Sequence, residues 1–369
     1  MRRLLPMLAI VAVALATPGP SARAEDQYLR AALKVADEVI IPGWRNVEQA
    51  AQSQHDTIDR LCNAPSAESL SAARDGFGAL VTSFGRIEFA RFGPAREDFR
   101  FEKLFFWPDR RGRGLRQVQA LLAKQDASAT DPGTLAIKSV AVQGLPALEY
   151  LLFGKGADSL SGPDAPYRCR YALAVADNIG ALAAAIRQGW VGDAGHWAAM
   201  ATAGSDNPLY RDGAEAARTL LDAIREQLQL VLTAKLRAPL GESPEDARPK
   251  RSPFWRSGQS LTLVIANIRS IRDVFSHSRL DGITPLAGGQ EHERLDWLME
   301  ELFRELERGE EAVAEAAALD AADGPFLHPD GREALTYATA PLSGALSILS
   351  SRYPSAVGLI VGFNALDGD

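Results

Sequence analysis

Apolar side chains recur along most of this chain at intervals of three and four residues, a spacing that places them on one face of an α-helix. In the segment 27–62, for example, Leu29, Leu33, Ile40 and Val47 form one such stripe. Strand patterns, in which polar and β-branched residues alternate between Asn-Gly turns, are nearly absent from the sequence. The pattern therefore predicts an all-α fold.

Proline and glycine residues divide the helical pattern into separate elements. The predicted helices cover residues 27–62, 66–91, an aromatic-rich segment around 99–107 that resumes at 115–122, and then 131–154, 168–190, 217–232, 257–276, 290–307 and 331–352. The segment 238–253 carries four prolines and mixed charge, which indicates a loop. We predict two four-helix-bundle-like domains, an N-terminal bundle over residues 25–205 and a C-terminal bundle over residues 206–369.

The N-terminus has the features of a cleaved secretory leader. Arg2 and Arg3 precede an apolar run over residues 4–16, and Ala22-Arg23-Ala24 has the small-x-small pattern that signal peptidases cut. The apolar run is shorter than the roughly 20 residues that span a bilayer. We predict that residues 1–24 are a signal peptide, that the mature chain has no membrane span, and that it is periplasmic.

Charge and cysteine content narrow the picture further. The chain has 40 Lys and Arg residues against 47 Asp and Glu residues, so its net charge of −7 gives no electrostatic attraction to nucleic acid, which we exclude as a partner. Cys62 and Cys169 either form one disulfide or remain two buried free thiols. The export signal favours the disulfide, because exported proteins fold in an oxidising compartment.

Histidine spacing gives no indication of a standard zinc hydrolase. The histidines are His55, His196, His277, His292 and His328. None of them stands in a His-Glu-x-x-His motif or another compact metal-ligand spacing. The sequence also has no glycine-rich phosphate loop and no Gly-x-Ser-x-Gly nucleophile turn.

Glu149 is the unusual polar residue of the helical pattern. Leu145 precedes it by four positions and Leu152 follows it by three, so Glu149 shares an apolar helix face. A carboxylate in such a place is costly unless it is paired, protonated or bound to a cation. Three interpretations are open: an ion pair with an arginine of the second bundle, a solvated edge position, or a functional carboxylate in a buried cleft.

Gly144 and Pro146 disturb the helix just before Glu149. Proline lacks the amide donor and clashes with the carbonyl four residues back, so a kink here exposes backbone carbonyls. Alternatively, Pro146 stands at the first position of a new helical segment and Glu149 lies in its first turn. The two interpretations are compatible.

The stretch from Gly144 to Gly154 resembles the signature of the imelysin family, Gly-x-His-x-x-Glu followed by an aromatic residue, two leucines, an aromatic residue and glycine. Further matching pieces are Ile41-Pro42, Arg91-Phe92-Gly93-Pro94, Phe106-Trp107-Pro108-Asp109, Arg168-Cys169, Phe254-Trp255-Arg256-Ser257-Gly258 and the C-terminal residues 362–369. Together these pieces extend the resemblance over nearly the whole mature chain.

The resemblance implies a periplasmic or outer-surface protein of two helical bundles, from a family classed historically as metallopeptidases and linked to iron-regulated uptake. Gly144 and Glu149 match the signature, but Pro146 stands where the family has histidine. Because proline supplies neither a metal ligand nor a proton, the usual pairing of imidazole and carboxylate is lost. We therefore expect no catalysis, and Glu149 is the one candidate ligand for iron or another divalent metal.

By analogy with the family, the Glu149 helix is expected to line a cleft between the bundles and to face the start of helix 257–276. Arg256, Ser257 and Ser260 offer a cation and free amide donors there, which suit an anion or a carboxylate. An alternative interpretation, which fits the sequence equally well, is that Ser257 caps the helix while Arg256 is solvated.

Two other polar positions and the tail have simpler interpretations. Arg91 and Asp109 either cap their local helices or line the same cleft. The terminal Asp367 and Asp369 resemble calcium ligands but lack the rest of a calcium loop, so we expect a solvated tail.

Three functions from different classes follow from the sequence. The leading hypothesis is a non-catalytic binding protein of the cell envelope, which acts in iron or other metal homeostasis by holding a small ligand, a metal ion or an envelope protein near the cleft. The second is a metal-dependent peptidase that uses Glu149 with ligands from elsewhere, such as His196 or His292. The third is a structural or interaction protein of the envelope.

Overall fold

The computed structural model describes residues 20–278, 290–320 and 323–359. Within these ranges every regular element is a helix and no strand occurs, so the predicted all-α fold is confirmed. The α-helices of the first half are α1 (Pro20–Val35), α2 (Ile41–Asn63), α3 (Ala67–Gly85), α4 (Arg100–Leu104), α5 (Arg113–Lys124), α6 (Pro132–Leu135), α7 (Leu145–Phe153), α8 (Pro166–Trp190) and α9 (His196–Ala201). Those of the second half are α10 (Gly213–Leu230), α11 (Ala238–Leu240), α12 (Ser260–Ser278), α13 (Gln290–Ala317), α14 (Pro329–Ser347) and α15 (Tyr353–Val357).

Side-chain caps and prolines fix where several helices begin. Ser66 and Ser69 form a reciprocal capping box at the start of α3. Asp212 accepts a hydrogen bond from the amide of Glu215 at the start of α10. Pro132 is the first residue of α6, where its missing amide donor has no cost.

Three wider π-helical turns join consecutive α-helices into longer helical elements. They cover Ala36–Ile40 between α1 and α2, Val231–Arg237 between α10 and α11, and Ile348–Arg352 between α14 and α15. A π turn adds one residue per hydrogen-bonded ring and rotates the following side chains relative to a regular helix. The predicted helix 27–62 is therefore α1 and α2 joined by such a turn.

The helices pack as two groups. In the first group α2 packs against α3 and α8, and α7 packs against α3 and α8. In the second, α13 packs against α12 and α14, and α10 packs against α12 and α14. Helix α3 also contacts α12, and α1 packs against α10, so the buried apolar residues form one continuous core. The division into domains at residue 205 stays a prediction.

Helix α8 is linked to α2 by a disulfide and contains a long apolar stretch. Cys169 near its start forms a disulfide with Cys62 at the end of α2, with the two Cα atoms 5.6 Å apart, which confirms the predicted pair. The length and composition of α8 would suit a membrane-spanning helix, but most of its apolar stretch is buried inside the protein.

Several predicted helix limits are wrong. The predicted helix 131–154 consists of α6, a 3₁₀ turn at Val140–Val142 and α7, because Gly144 is extended and α7 begins anew after it. The predicted helix around 99–107 is limited to the five residues of α4 and is followed by extended chain up to α5. Residues 1–19 of the predicted leader and the terminal Asp367 and Asp369 lie outside the described residues, whereas residues 20–24 begin α1.

Candidate functional site

A deep cleft of about 1740 Å³ opens where the two helical groups meet. Its walls come from the extended segment before α5, from α7, from the turn after α10, and from the loop 247–258 that leads into α12. The rim on the far side is formed by residues 323–327 before α14. Glu149 and Pro146 on α7 both line this cleft, as expected from the sequence.

Gly144 allows α7 to begin against the backbone of α4. A Cβ atom at this position would lie 2.2 Å from the carbonyl oxygen of Lys103 and 2.4 Å from that of Leu104, so a side chain cannot be accommodated without moving the backbone. Pro146 follows in the first turn of α7. The structure therefore has a helix restart here, and Pro146 supplies a half-buried apolar surface to the cleft.

The carboxylate of Glu149 is held by the loop that precedes α12. Its Oε1 atom accepts hydrogen bonds from the backbone amides of Arg256 at 2.8 Å and Ser257 at 3.0 Å, and from the hydroxyl of Ser257 at 3.2 Å. Its Oε2 atom lies 3.7 Å from Nη1 of Arg256. Of the three interpretations of Glu149, the ion pair with an arginine of the second half is present, and the solvated edge is excluded because only 3% of Glu149 is exposed.

Burial is the main influence on the ionisation of Glu149. It raises the pKa of the carboxyl above its ordinary value, and the hydrogen bonds from Ser257 and Arg256 and the charge of Arg256 offset only part of the rise. The guanidinium of Arg256 lies 4.3 Å from the ring centre of Trp255 and 5.5 Å from that of Tyr150, so two aromatic faces fix its position. The carboxylate and the cation together form a rigid part of the cleft wall.

The loop segment that Glu149 holds contains a strained residue. Phe254 has a left-handed φ of 54°, which non-glycine residues adopt at a cost of order 1–3 kcal/mol. Its ring packs in the core, 5.5 Å from Phe77 and 5.4 Å from Phe105, while its carbonyl accepts from the hydroxyl of Ser257. Packing of the ring and the bonds to Glu149 therefore hold the loop in a conformation that it would not keep alone.

The three sequence candidates at the start of α12 have different roles from those expected. Helix α12 begins at Ser260, so Ser257 is not its cap. The amides of Arg256 and Ser257 donate to Glu149 and are therefore not free to bind an external anion. Ser260 is buried and its hydroxyl donates to the carbonyl of Pro253. Whether Gly144, Pro146, Glu149, Arg256, Ser257 and Ser260 bind a ligand stays a prediction.

Asp109 is both a cap and a cleft residue. Its carboxylate accepts from the amides of Arg113 at 2.8 Å and Gly114 at 2.9 Å, at the start of α5, and it also lines the cleft. Arg91 does not line the cleft; it is partly buried, donates to the backbone carbonyl of Glu88 at 3.0 Å, and joins a buried polar network.

That network was not found from the sequence. Lys235 and Glu88 have no exposed surface, and Nζ of Lys235 donates to Glu88 Oε2 at 2.6 Å and to Asn267 Oδ1 at 2.7 Å. Arg91 donates to the other Glu88 oxygen at 2.6 Å and to Gln227 at 2.9 Å. The network thus joins residues of α10, α12, the π turn and the chain after α3.

The charges of this network stabilise each other. Burial acts to raise the pKa of Glu88, but the charges of Lys235 and Arg91 and the hydrogen bonds outweigh it, so the pKa lies below its ordinary value. Burial lowers the pKa of Lys235 to about 8, although Glu88 acts in the opposite direction. The Nζ atom of Lys235 also lies 6.0 Å from the ring centre of Trp107, which lines the cleft. The network therefore lies directly behind the cleft wall.

The sequence did contain a signal for these residues. Lys235 follows Val231 by four positions and Leu232 by three, so it shares an apolar helix face in the same way as Glu149. Glu88 stands between the apolar Ile87 and Phe89. The π turn places Lys235 in the core, while its neighbours at 233 and 234 line the cleft.

The described histidine side chains, those of His55, His196 and His328, do not line the cleft. His196 instead forms a hydrogen bond of 2.7 Å with the hydroxyl of Tyr210, and burial lowers its pKa. The side chains of His277 and His292 lie outside the described residues. Within the described part of the chain, no group of three His, Cys, Asp or Glu side chains is arranged to hold a metal ion.

Fold and site together define an all-helical protein with a ligand-sized cleft between two helix groups. The sequence model of the imelysin family matches residues 40–349, and the chain belongs to this family. It is 22% identical over 263 residues to iron-regulated protein A of Synechococcus elongatus, a match that spans 70% of this chain and 66% of that relative's length.

Two solved structures share the fold. An imelysin-like protein from Psychrobacter arcticum has a TM-score of 0.71 and 20% sequence identity, and the match covers 96% of this chain and all of that one. A putative iron-regulated protein A precursor from Parabacteroides distasonis has a TM-score of 0.69 and 18% identity, and the match covers 92% of this chain and 97% of that one. These similarities confirm the predicted imelysin-like fold.

Proposed function

We infer that this protein is a non-catalytic ligand-binding protein of the cell envelope, that it acts in iron or other metal homeostasis, and that it binds its ligand in the cleft beside Glu149. The name of the Synechococcus relative supports the link to iron. The word precursor in the name of the Parabacteroides relative, together with the leader pattern of residues 1–24, supports export to the periplasm.

The bonding of Glu149 carries the non-catalytic part of this proposal. A general base or metal ligand needs a free lone pair directed at the reacting group or ion. Oxygen Oε1 of Glu149 already accepts from two amides and a hydroxyl, and Oε2 faces Arg256. Glu149 therefore acts as a positioning residue that shapes the cleft wall.

The shape and the lining of the cleft support the ligand-binding part of the proposal. It is concave, it contains aromatic walls, and the charged groups of both helix groups converge on it, which are the features of a small-molecule site. Its position at the junction of the two groups also suits a site whose shape changes when the groups shift relative to each other.

Calorimetry of the chain without residues 1–24 tests the proposal. Ferrous ion under anoxic conditions, zinc, cupric ion and ferric ion supplied as soluble chelates are each titrated into the protein. We expect saturable binding of at least one iron species, which Trp255→Leu weakens because Trp255 lines the cleft. Trp297→Leu is the matched control, because Trp297 is half exposed on α13 and lies outside the cleft.

Absence of saturable binding by every iron species would overturn the proposal, as would equal weakening by the control variant. Hydrolysis of a denatured protein substrate in the presence of zinc, lost in Glu149→Gln, would instead support the metal-dependent peptidase. The purely structural role predicts that neither binding nor hydrolysis occurs.

A further inference from the structure

The charged residues of the cleft are mostly basic, although the chain as a whole is acidic. Its basic side chains are those of Arg110, Arg248, Lys250, Arg251 and Arg256. Its carboxylates are those of Asp109, Glu149 and Asp323. The net charge of the whole chain is −7, so this concentration of cations is a local feature.

Two of the three carboxylates are already engaged by hydrogen bonds from the protein, and the cleft has five basic side chains against three acidic ones. Asp109 accepts from the backbone amides at the start of α5, and Glu149 accepts from the loop before α12 and faces Arg256. Asp323 is exposed at the rim. The field inside the cleft is therefore set by the basic groups, and it repels a bare metal cation and attracts an anion.

Arg110 and Arg251 are available to a ligand. Both side chains are exposed, and neither forms an ion pair or a side-chain hydrogen bond with the described residues. They stand on two different segments that line the cleft, one before α5 and the other in the loop 247–258. Guanidinium groups in such positions bind carboxylate and phenolate oxygens through paired N–H donors.

Aromatic rings supply the second recognition element. Trp255 is half-buried in the cleft, with Lys250 at 5.4 Å and Arg256 at 4.3 Å from its ring centre. Trp107 stacks on Phe105 at 5.9 Å with an angle of 19° between the planes, which gives a second flat surface. Flat aromatic faces beside cations suit a ligand that carries both a conjugated ring and negative charge.

Size separates this ligand from a single ion. The cleft volume of about 1740 Å³ exceeds the roughly 300–1,000 Å³ of ordinary small-molecule sites. A bare ion occupies a small fraction of such a volume and would contact one wall alone. A chelate of several rings is large enough to contact aromatic and basic side chains from more than one segment of the cleft.

We propose that the ligand of this cleft is an anionic metal chelate with conjugated rings, whose oxygens pair with Arg110 and Arg251 and whose rings pack against Trp255 and the cations beside it. This proposal rests on the proposed function, and it names the form in which iron is bound. The protein recognises the organic shell and its negative charge, and it supplies no ligand to the metal.

Calorimetric titration with ferric chelates of different charge tests the proposal. The probes are trianionic ferric enterobactin, uncharged ferrichrome and monocationic ferrioxamine B, with ferrous ion as the bare cation. We expect ferric enterobactin to bind about tenfold or more tightly than the other two chelates, and its affinity to fall as salt increases. The double variant Arg110→Gln/Arg251→Gln should weaken enterobactin binding about tenfold and change ferrichrome binding less than about twofold.

Arg96→Gln is the control, because Arg96 is exposed and lies outside the cleft. Equal binding of all three chelates, or equal weakening of all of them by the double variant, would overturn the anionic chelate and leave the proposed function standing. Tight binding of ferrous ion that survives the double variant would likewise overturn it. Failure of every probe to bind would remove the proposed function as well.

Discussion

The ammonium group of Lys235 donates a hydrogen bond of 2.6 Å to the carboxylate of Glu88, and neither side chain has any exposed surface. The two residues are 147 positions apart, and each belongs to a different helix group. A buried pair of this kind stabilises a protein only while both charges are present.

Glu88→Gln is therefore expected to destabilise the protein by about 3–5 kcal/mol at neutral pH, because it leaves the Lys235 charge buried without its partner. Chemical denaturation measures this change. Glu48→Gln is the control: Glu48 pairs with Arg187 at 2.7 Å, but both side chains are partly exposed, so its loss should cost about 1 kcal/mol or less.

The effect of Glu88→Gln should also depend on pH. The pKa of Glu88 is lower in the folded chain than its ordinary value, so its contribution is complete above the ordinary range and is lost as pH falls through the folded pKa. The difference in stability between the native chain and Glu88→Gln should therefore narrow in acid. A difference that stays constant down to strongly acidic pH would contradict the buried ion pair.

Glu149→Gln and Glu149→Ala should behave differently. Gln keeps a carbonyl oxygen that accepts from the amides of Arg256 and Ser257, whereas Ala leaves both amides without an acceptor, at a cost of about 1–3 kcal/mol. We expect Glu149→Ala to lower the melting temperature and to speed hydrogen exchange of these two amides. If Glu149→Gln has an equally large effect, the negative charge rather than the acceptor position holds the loop.

Pro146→His restores the histidine of the family signature and tests whether this residue creates a metal site beside Glu149. Positions 146 and 149 lie three apart on α7 and both line the cleft, so an imidazole there would stand beside the carboxylate. We expect zinc affinity to change less than about twofold, because Oε1 of Glu149 already accepts from two amides and a hydroxyl and Oε2 faces Arg256. Pro166→His, in the first turn of α8 and exposed, is the control. A gain of about tenfold or more in Pro146→His that is lost in Pro146→His/Glu149→Gln would show that Glu149 can act as a metal ligand.

Gly144→Ala should displace α7. The added Cβ atom would meet the backbone oxygens of Lys103 and Leu104, and overpacking against backbone costs about 1–3 kcal/mol or more. Gly133→Ala is the control, because the nearest atom to its Cβ is a side-chain oxygen at 3.4 Å. Thermal unfolding of the two variants measures the difference, and equal melting temperatures would contradict a required close approach at Gly144.

Periodicity in the sequence is enough to predict the helices whose apolar stripe is continuous. Helices α8, α12 and α14 lie within a few residues of their predicted limits, because each buries one long face against neighbouring helices. The region of α4 to α7 could not be predicted in the same way. There, close backbone approaches such as that of Gly144 decide where the chain turns, and they depend on residues far away in the sequence.

For the candidate site, too, some features could be predicted from the sequence and others could not. An apolar helix face identified Glu149, and the family signature directed attention to Arg256 and Ser257, which the structure brings to it. That Ser257 donates to Glu149 instead of capping α12 depends on the left-handed turn at Phe254, which no local pattern indicates. Arg110 and Arg251 likewise line one cleft only because two segments that are distant in the sequence both border it.

The disulfide between Cys62 and Cys169 changes how easily the chain unfolds. It closes a span of 107 residues, and in the chain-entropy account a loop of about that length is worth roughly 5 kcal/mol. With both thiols reduced, the unfolded chain is not restricted by this loop, so the reduced protein unfolds at a lower cost in free energy. With the disulfide formed, the ends of this long segment stay joined even in the unfolded chain, which has fewer conformations to gain on unfolding.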